Sequence, residues 1–469
     1  MRQEYREYNF DWMLWRLFES ASRACDGSEK EYHNLMKYIP SFKDSVEPIL
    51  EYPEVGSAFL KATCTYLENI NTARERGKKV AASTFCFSPA ILYAMDVVPI
   101  TFELVTVMGT LLWKHGTAEY LDYCCEIGFT ETSCSSQRGS LGAYLSGNGV
   151  DIDFFLNDAP GVCDTNANAF AFGAAYLDKP FYQLNMPSDL TSKRSLEYHR
   201  EDFKELILFI EKQTGKKLDA DRLKEILEEV KIQDEICDEL EELQMLKPNP
   251  SPVLFQFFIY ATRFLFSGAK EGTEVLRIIL KTVKKNADLG ISGLRHKKEN
   301  LRALFCYIDH YTSNLRLWEM FEDLGITHVG NILSRQWDNN SLLAGVDGRQ
   351  EESYTIDTSS LDAMIDSIAS INSRLPMVKS IRGPYDKPHM WLDDNISLAK
   401  LYDVDLVVYN GTPGCRNTWG MVKLFSRDME RQGYPTYVMY ADAFDDRVES
   451  WENARARFEE FITVRRLNK

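Results

Sequence analysis

Residues 153–163 read DFFLNDAPGVC, and residues 405–415 read DLVVYNGTPGC. In each, an aspartate (Asp153, Asp405) leads a short apolar run, a Pro-Gly pair follows (Pro160-Gly161, Pro413-Gly414), and a cysteine stands ten positions after the aspartate (Cys163, Cys415). A continuous apolar run of this length, closed by turn residues, suits a strand buried on both faces of a parallel sheet. The residues beyond each cysteine, ANAFAFGAAYL and TWGMVKLFSRDMERQG, have helical character. The same order of strand, turn, cysteine and helix occurs twice, which predicts two related α/β halves.

Working outward from the first copy, VAASTF, VPITFEL and FYQLNM read as further strands and PAILYAMDV as a helix; around the second copy, LRALFCYI, ITHVGNIL and TYVMYA are strands and an amphipathic helix begins near Ser450. Strands alternating with helices imply parallel sheets. Apolar spacing before about residue 75 (Met13, Leu14, Leu17, Phe18, then Phe59, Leu60, Leu67) is helical throughout. Between about Leu190 and Glu299, runs such as DADRLKEILEEVKIQDEICDELEEL predict a helical connector whose charges form solvated faces. At 469 residues the chain exceeds what one core supports. The expected fold is α/β, with two Rossmann-like parallel-sheet domains at 79–195 and 300–469, a helical N-terminal extension at 1–78 and a helical connector at 196–299.

A net charge of −16 repels a phosphate backbone, and no local basic patch offsets it, so nucleic acid is not an expected partner. The first residues lack the order of a signal peptide, and the most apolar stretch, Val253 to Phe266, carries Gln256 and Arg263, so no membrane is expected and the protein should be cytoplasmic. In such a compartment ten cysteines stay as reduced thiols or become metal ligands. Loops beyond the carboxyl ends of parallel strands gather ligands, and the helix starts there favour thiolates. Cys163 and Cys415 both occupy that place. Cys134, in TETSCSSQRGSLGAYLSG, precedes another helix start and is the third candidate. A single cysteine is ordinarily a small buried hydrophobe, so the surrounding motifs carry the case.

Those motifs, in order TFCFSPAILYAMDVVP, CSSQRGSLGAYLSG, DFFLNDAPGVCDTN, QTGKKLDADRL, KPNPSP, and DLVVYNGTPGCRNTWG followed by GYPTYVMYADAFDDR, resemble the family of 2-hydroxyacyl-CoA dehydratases and ATP-dependent benzoyl-CoA reductases from about Val80 to the C-terminus. The resemblance implies a subunit of a heterodimer with a homologous second subunit, carrying a 4Fe-4S cluster on Cys134, Cys163 and Cys415. It implies one-electron chemistry on an acyl-CoA thioester, for which a separate ATP-hydrolysing iron-sulfur activator supplies the electron. In the dehydratase branch a ketyl radical anion expels the 2-hydroxyl, a β-proton leaves and the electron returns; in the reductase branch an aromatic ring is reduced. A 2-hydroxyacyl-CoA dehydratase, a lyase, is the expected enzyme, with an aromatic acyl-CoA reductase or a non-catalytic electron relay as the alternatives. The sequence has no G-x-x-x-x-G-K-[ST] phosphate loop, in keeping with ATP hydrolysis elsewhere.

Glu103, at the end of a predicted strand where relatives place an acidic residue close to substrate, is the catalytic candidate, a carboxylate able to carry a proton; a solvent-facing strand end is the plainer reading. The family often has an acidic residue after the proline of its first motif, whereas Ala90 follows Pro89 here. Cys86 could line the cluster or ligate a second one together with Cys306. His310 and His328 could be acid-base groups or structural histidines. Ser135, Ser136, Arg138 and Asn166 flank the cysteines, where capping or, for Arg138, a solvated charge are the plainer roles.

Overall fold

The computed structural model describes residues 12–39, 41–112, 117–158, 163–187, 190, 192–295, 298–307, 315–332, 338, 353–375, 390–411 and 413–467. The Pro160-Gly161 turn and His310 lie outside the described residues.

Among the described residues eight short strands carry the fold: β1 (Val80–Ser83), β2 (Val98–Thr101), β3 (Phe154–Asn157), β4 (Phe181–Gln183), β5 (Leu301–Tyr307), β6 (Ile326–Asn331), β7 (Leu406–Gly411) and β8 (Thr436–Tyr440). They form two four-stranded sheets, ordered β2-β1-β3-β4 and β6-β5-β7-β8, and the pairing is parallel throughout. The second sheet thus repeats the first strand for strand, and the two DxxxxxxxxxC segments supply the equivalent strands β3 and β7. Their opening aspartates have equivalent roles. Asp153 accepts the Val80 N–H through Oδ2 at 2.9 Å, and Asp405 accepts the Arg302 N–H at 2.9 Å, each pinning the start of the neighbouring central strand.

Alternation along the strands divides the apolar residues between two cores, and each core runs across both sheets. Ala82, Phe155, Ala303, Phe305, Leu406 and Val408 face one core. Ala81, Phe154, Leu156, Leu304, Val407 and Tyr409 face the other. The two halves are therefore not separately packed bodies; they share the helical layers above and below them.

The N-terminal extension covers the first core. Its helices Trp12–Cys25, Glu29–Tyr38 and Pro53–Asn71 bury Leu14, Leu35, Phe59, Leu60 and Leu67. It reaches both halves: the Tyr66 hydroxyl accepts the Thr101 N–H of β2 at 3.1 Å, while the Asp44 carbonyl accepts the Leu315 N–H at 2.8 Å and its carboxylate pairs with Arg316 at 3.2 Å.

Four helices, Lys193–Thr214, Ala220–Gln244, Phe255–Leu265 and Lys270–Asp288, occupy the connector. Here the expectation of simply solvated charge runs needs correction. Asp234 on the second of these helices is 1 % exposed and meets Arg263, 2 % exposed, at 2.6 Å. Tyr354, from the second half, donates to the other Asp234 oxygen at 2.8 Å. A buried charge needs such partners to be tolerated. None of the described helices is long and apolar enough to cross a membrane.

Candidate functional site

A helix starts at each of the three cysteines. Cys134 precedes Ser135–Leu145, Cys163 precedes Asp164–Tyr176, and Cys415 precedes Arg416–Arg431. The first N–H groups of a helix lack intrahelical partners and carry the positive end of its dipole. In two of the helices the N–H three residues on, that of Gln137 and that of Asn166, faces the sulfur of Cys134 and of Cys163 and favours its thiolate, although neither contact reaches full capping geometry.

The three helix starts converge. Cys163 and Cys415 follow the equivalent strands β3 and β7, at the strand ends where the order of each sheet reverses, the usual ligand position of doubly wound sheets. The turn before Cys415 is seated directly on Cys134: a Cβ on Gly414 would stand 2.7 Å from the Ser133 carbonyl oxygen and 3.0 Å from the Cys134 nitrogen. Burial pushes the Cys163 thiol up to about 12, with Cys415 adding to the rise. Burial likewise drives the Cys134 thiol far above its ordinary value, reinforced by Cys415 and then Cys163.

The Cys134 helix is buried along its entire length, an unusual position that its small residues permit. Gly139 lies against Thr106, and Gly142 lies against the backbone of Tyr120, where an added Cβ would stand 2.8 Å and 2.1 Å from the nearest atoms. Ser135 donates to Asp442 at the end of β8, joining this helix to the second half. Arg138 is buried rather than solvated; its Nε donates to the Ser133 carbonyl at 3.0 Å and its Nη1 approaches Cys125 Sγ at 3.4 Å.

Beneath the thiols lie buried carboxylates. Glu103 is 4 % exposed, not a solvent-facing strand end, and its Oε1 accepts from Gln137 Nε2 at 2.7 Å and Asn166 Nδ2 at 3.1 Å while Oε2 accepts the Phe85 N–H at 3.2 Å. Burial raises its carboxyl to about 7 against the pull of those donors. Asp158, just past β3, accepts from Thr84 Oγ1 at 3.0 Å and from Asn372 Nδ2 at 3.2 Å, and burial raises it to about 7 as well. Asn372 belongs to helix Leu361–Ser373, and its Oδ1 accepts the Ser88 N–H at 2.8 Å, so one amide ties the first half to the second. Burial raises Asp442 to about 6.

Cys86 borders this group. Its N–H donates to Thr84 Oγ1 at 3.0 Å, and burial lifts its thiol well above the ordinary value, with Asp158, Glu103 and Cys163 adding to the effect. Cys306 is placed differently, inside β5, where Asn395 Nδ2 donates to its sulfur at 3.5 Å. His328 is buried in β6, stacked on Phe305 with ring centres 4.7 Å apart, and its Nδ1 accepts the Gly330 N–H at 2.9 Å. Among the described residues no three His, Cys, Asp or Glu side chains gather around the position of one metal ion.

Sequence reasoning passed over Asp158, Gln137 and Asp442. Asp158 lies inside the DFFLNDAPGVC segment itself, where a second acidic residue straight after an apolar strand was a readable signal; Gln137 and Asp442 carried none.

The sequence model of one family, 2-hydroxyglutaryl-CoA dehydratase, D-component, matches residues 84–464. The chain belongs to that family. It is also 24 % identical over 244 residues to the (R)-2-hydroxyisocaproyl-CoA dehydratase alpha subunit of Clostridioides difficile, a match covering 49 % of this chain and 58 % of that subunit. The chain thus aligns with somewhat over half the length of that relative. The family match takes in every described strand except β1, and all three cysteine-capped helices.

Proposed function

We propose that this chain is the cluster-carrying subunit of a 2-hydroxyacyl-CoA dehydratase, in which Cys134, Cys163 and Cys415 hold a 4Fe-4S cluster. The observation that carries the proposal is the convergence of three thiols, each at a helix start, two of them at the ligand-gathering ends of equivalent strands and the third, Cys134, beneath the Cys415 turn. Cys134 and Cys163 are raised by burial and by neighbouring thiols; a cationic multinuclear group reverses that repulsion and stabilises the thiolates. Cys134, Cys163 and Cys415 would each hold it by one thiolate, which suits thiols that sense one another without closing around a single ion. When bound, such a cluster supplies one electron at low potential to the carbonyl of an acyl-CoA thioester.

The remaining work belongs to the chain. The three helix N-termini offset negative charge gathered at the sulfurs. Asp442 with Ser135, and Asn372 with Ser88 and Asp158, keep the loops of the two halves in register. The buried Cys134 helix keeps water from one side of the site. In this reading the chain works beside a homologous second subunit, as the alpha-subunit name of its relative suggests, and a separate ATP-hydrolysing iron-sulfur activator delivers the electron.

Anaerobic purification should give about four irons and four sulfides per chain. Cys163→Ser and Cys415→Ser should lose most of that iron. Cys237→Ser, in the buried middle of a connector helix, and Cys64→Ser, beside the Trp15 carbonyl, should keep it. Wild-type iron content and paramagnetic resonance in both loop variants, or protein that stays colourless after anaerobic reconstitution with its partner, would refute the ligand set.

A further inference from the structure

Glu103 stands where two of the cysteine helices can be held from one point. Gln137 and Asn166 occupy the same place in their helices, three residues past Cys134 and three past Cys163. Each turns its backbone N–H toward its own cysteine and its side-chain amide toward the same oxygen, Glu103 Oε1, at 2.7 and 3.1 Å. One residue in each helix therefore joins the thiol to the carboxylate.

The orientation of the two amides is dictated by that carboxylate. Rotating either amide would set its carbonyl oxygen against a carboxylate oxygen, acceptor facing acceptor. Gln137 Oε1 and Asn166 Oδ1 are consequently left buried with no hydrogen-bond partner, on side chains 2 % and 1 % exposed. A core tolerates two orphaned acceptors so close together only where something else fixes both groups. Oε2 completes the arrangement by holding the Phe85 N–H, next to Cys86. Both carboxylate oxygens are thereby engaged by donors, its own backbone N–H adding to the three, in a residue only 4 % exposed, which leaves it poorly placed to exchange a proton with a substrate.

We propose that Glu103 is a positioning residue: through Gln137 and Asn166 it locks the first turns of the Cys134 and Cys163 helices to each other and so sets the separation and aim of those two thiols. This inference rests on the reading of the two cysteines as cluster ligands and replaces the proton-carrying role expected of Glu103 from the sequence.

The test is timed alkylation of the full-length, metal-free chain with iodoacetamide, read cysteine by cysteine by peptide mass spectrometry. Glu103→Ala should raise the rates at Cys134 and Cys163 together, several-fold, with Cys64 unchanged. Glu103→Gln keeps an oxygen for both amides, losing only the Phe85 N–H bond because its NH2 takes the place of Oε2, and should stay within about twofold of wild type at both cysteines. Gln137→Ala should act on Cys134 alone and Asn166→Ala on Cys163 alone, which preserves the test if Glu103→Ala does not fold. Unchanged rates in Glu103→Ala, or the same rise in Glu103→Gln, which would mark an effect of charge, would overturn the positioning role. So would disturbance of both thiols by either amide variant. Failure of the wild-type chain to take up iron would overturn the ligand reading instead, and the alkylation pattern would still decide what Glu103 does.

Discussion

Gly414→Ala probes a close backbone approach between the two halves of the site. The added methyl would stand 2.7 Å from the Ser133 carbonyl oxygen, 2.8 Å from its carbon and 3.0 Å from the Cys134 nitrogen, where ordinary contact begins near 3.4 Å. All three neighbours are backbone, so none can rotate aside; the Cys415 turn and the Cys134 helix start must separate by several tenths of an ångström. Overpacking of this kind costs about 1–3 kcal/mol. Gly420 lies further along the same helix as Cys415, with nothing within 4 Å of its hypothetical Cβ. Gly420→Ala should therefore stabilise by about 0.5–1 kcal/mol, the ordinary gain of alanine over glycine in a helix. Urea unfolding of the three proteins, with iron content in parallel, checks the pair: Gly414→Ala less stable and poorer in iron, Gly420→Ala slightly more stable with iron unchanged. If both substitutions behaved alike, or Gly414→Ala kept full stability, the seating of the Cys415 turn on Cys134 would be wrong.

Two further outcomes follow from the buried charges. Asp158 has a folded-state value of about 7, above its ordinary 3.8, so the folded protein holds a proton that the unfolded chain has released between those values. Its contribution makes stability fall as pH rises through that window, by up to about 1.4 kcal/mol per pH unit, and level off above it. Asp158→Asn should flatten this part of the stability profile between about pH 4.5 and 7, and an unaltered slope would contradict the assignment. Arg263→Ala should destabilise by about 3–5 kcal/mol, because Asp234 and the Tyr354 hydroxyl then share a burial site with no cation; chemical denaturation showing a loss below about 1 kcal/mol would mean that water reaches the pair.

The two DxxxxxxxxxC segments made the architecture readable because their characteristic letters each serve the backbone. The aspartate pins the neighbouring strand, the apolar run fills both cores, and the cysteine begins the helix. The alternating pattern likewise located all eight strands of the described residues. Other features depended on who meets whom across the fold. Arg138 looked like a surface charge, since nothing nearby in the sequence announces the Ser133 carbonyl and Cys125 as its partners in a buried helix. Glu103 looked like a strand end because its two main partners lie 34 and 63 positions away. The sharing of each core by both sheets was equally hidden, because strand patterns tell which residues are buried but not which helices bury them.

The N-terminal extension carries a consequence for how the molecule comes into being. Asp44 rests on Leu315 and Arg316, residues made about 270 positions later. At ribosomal speeds of about 5–20 residues per second, that is a delay of roughly 15–50 s. Throughout it, helices bearing Leu14, Phe59 and Leu67 must wait beside the exit tunnel with half of their resting place not yet synthesised. Nascent chains of this protein should therefore engage holding chaperones early and release them late, once the second sheet has emerged, so the extension reaches its final packing long after its own synthesis.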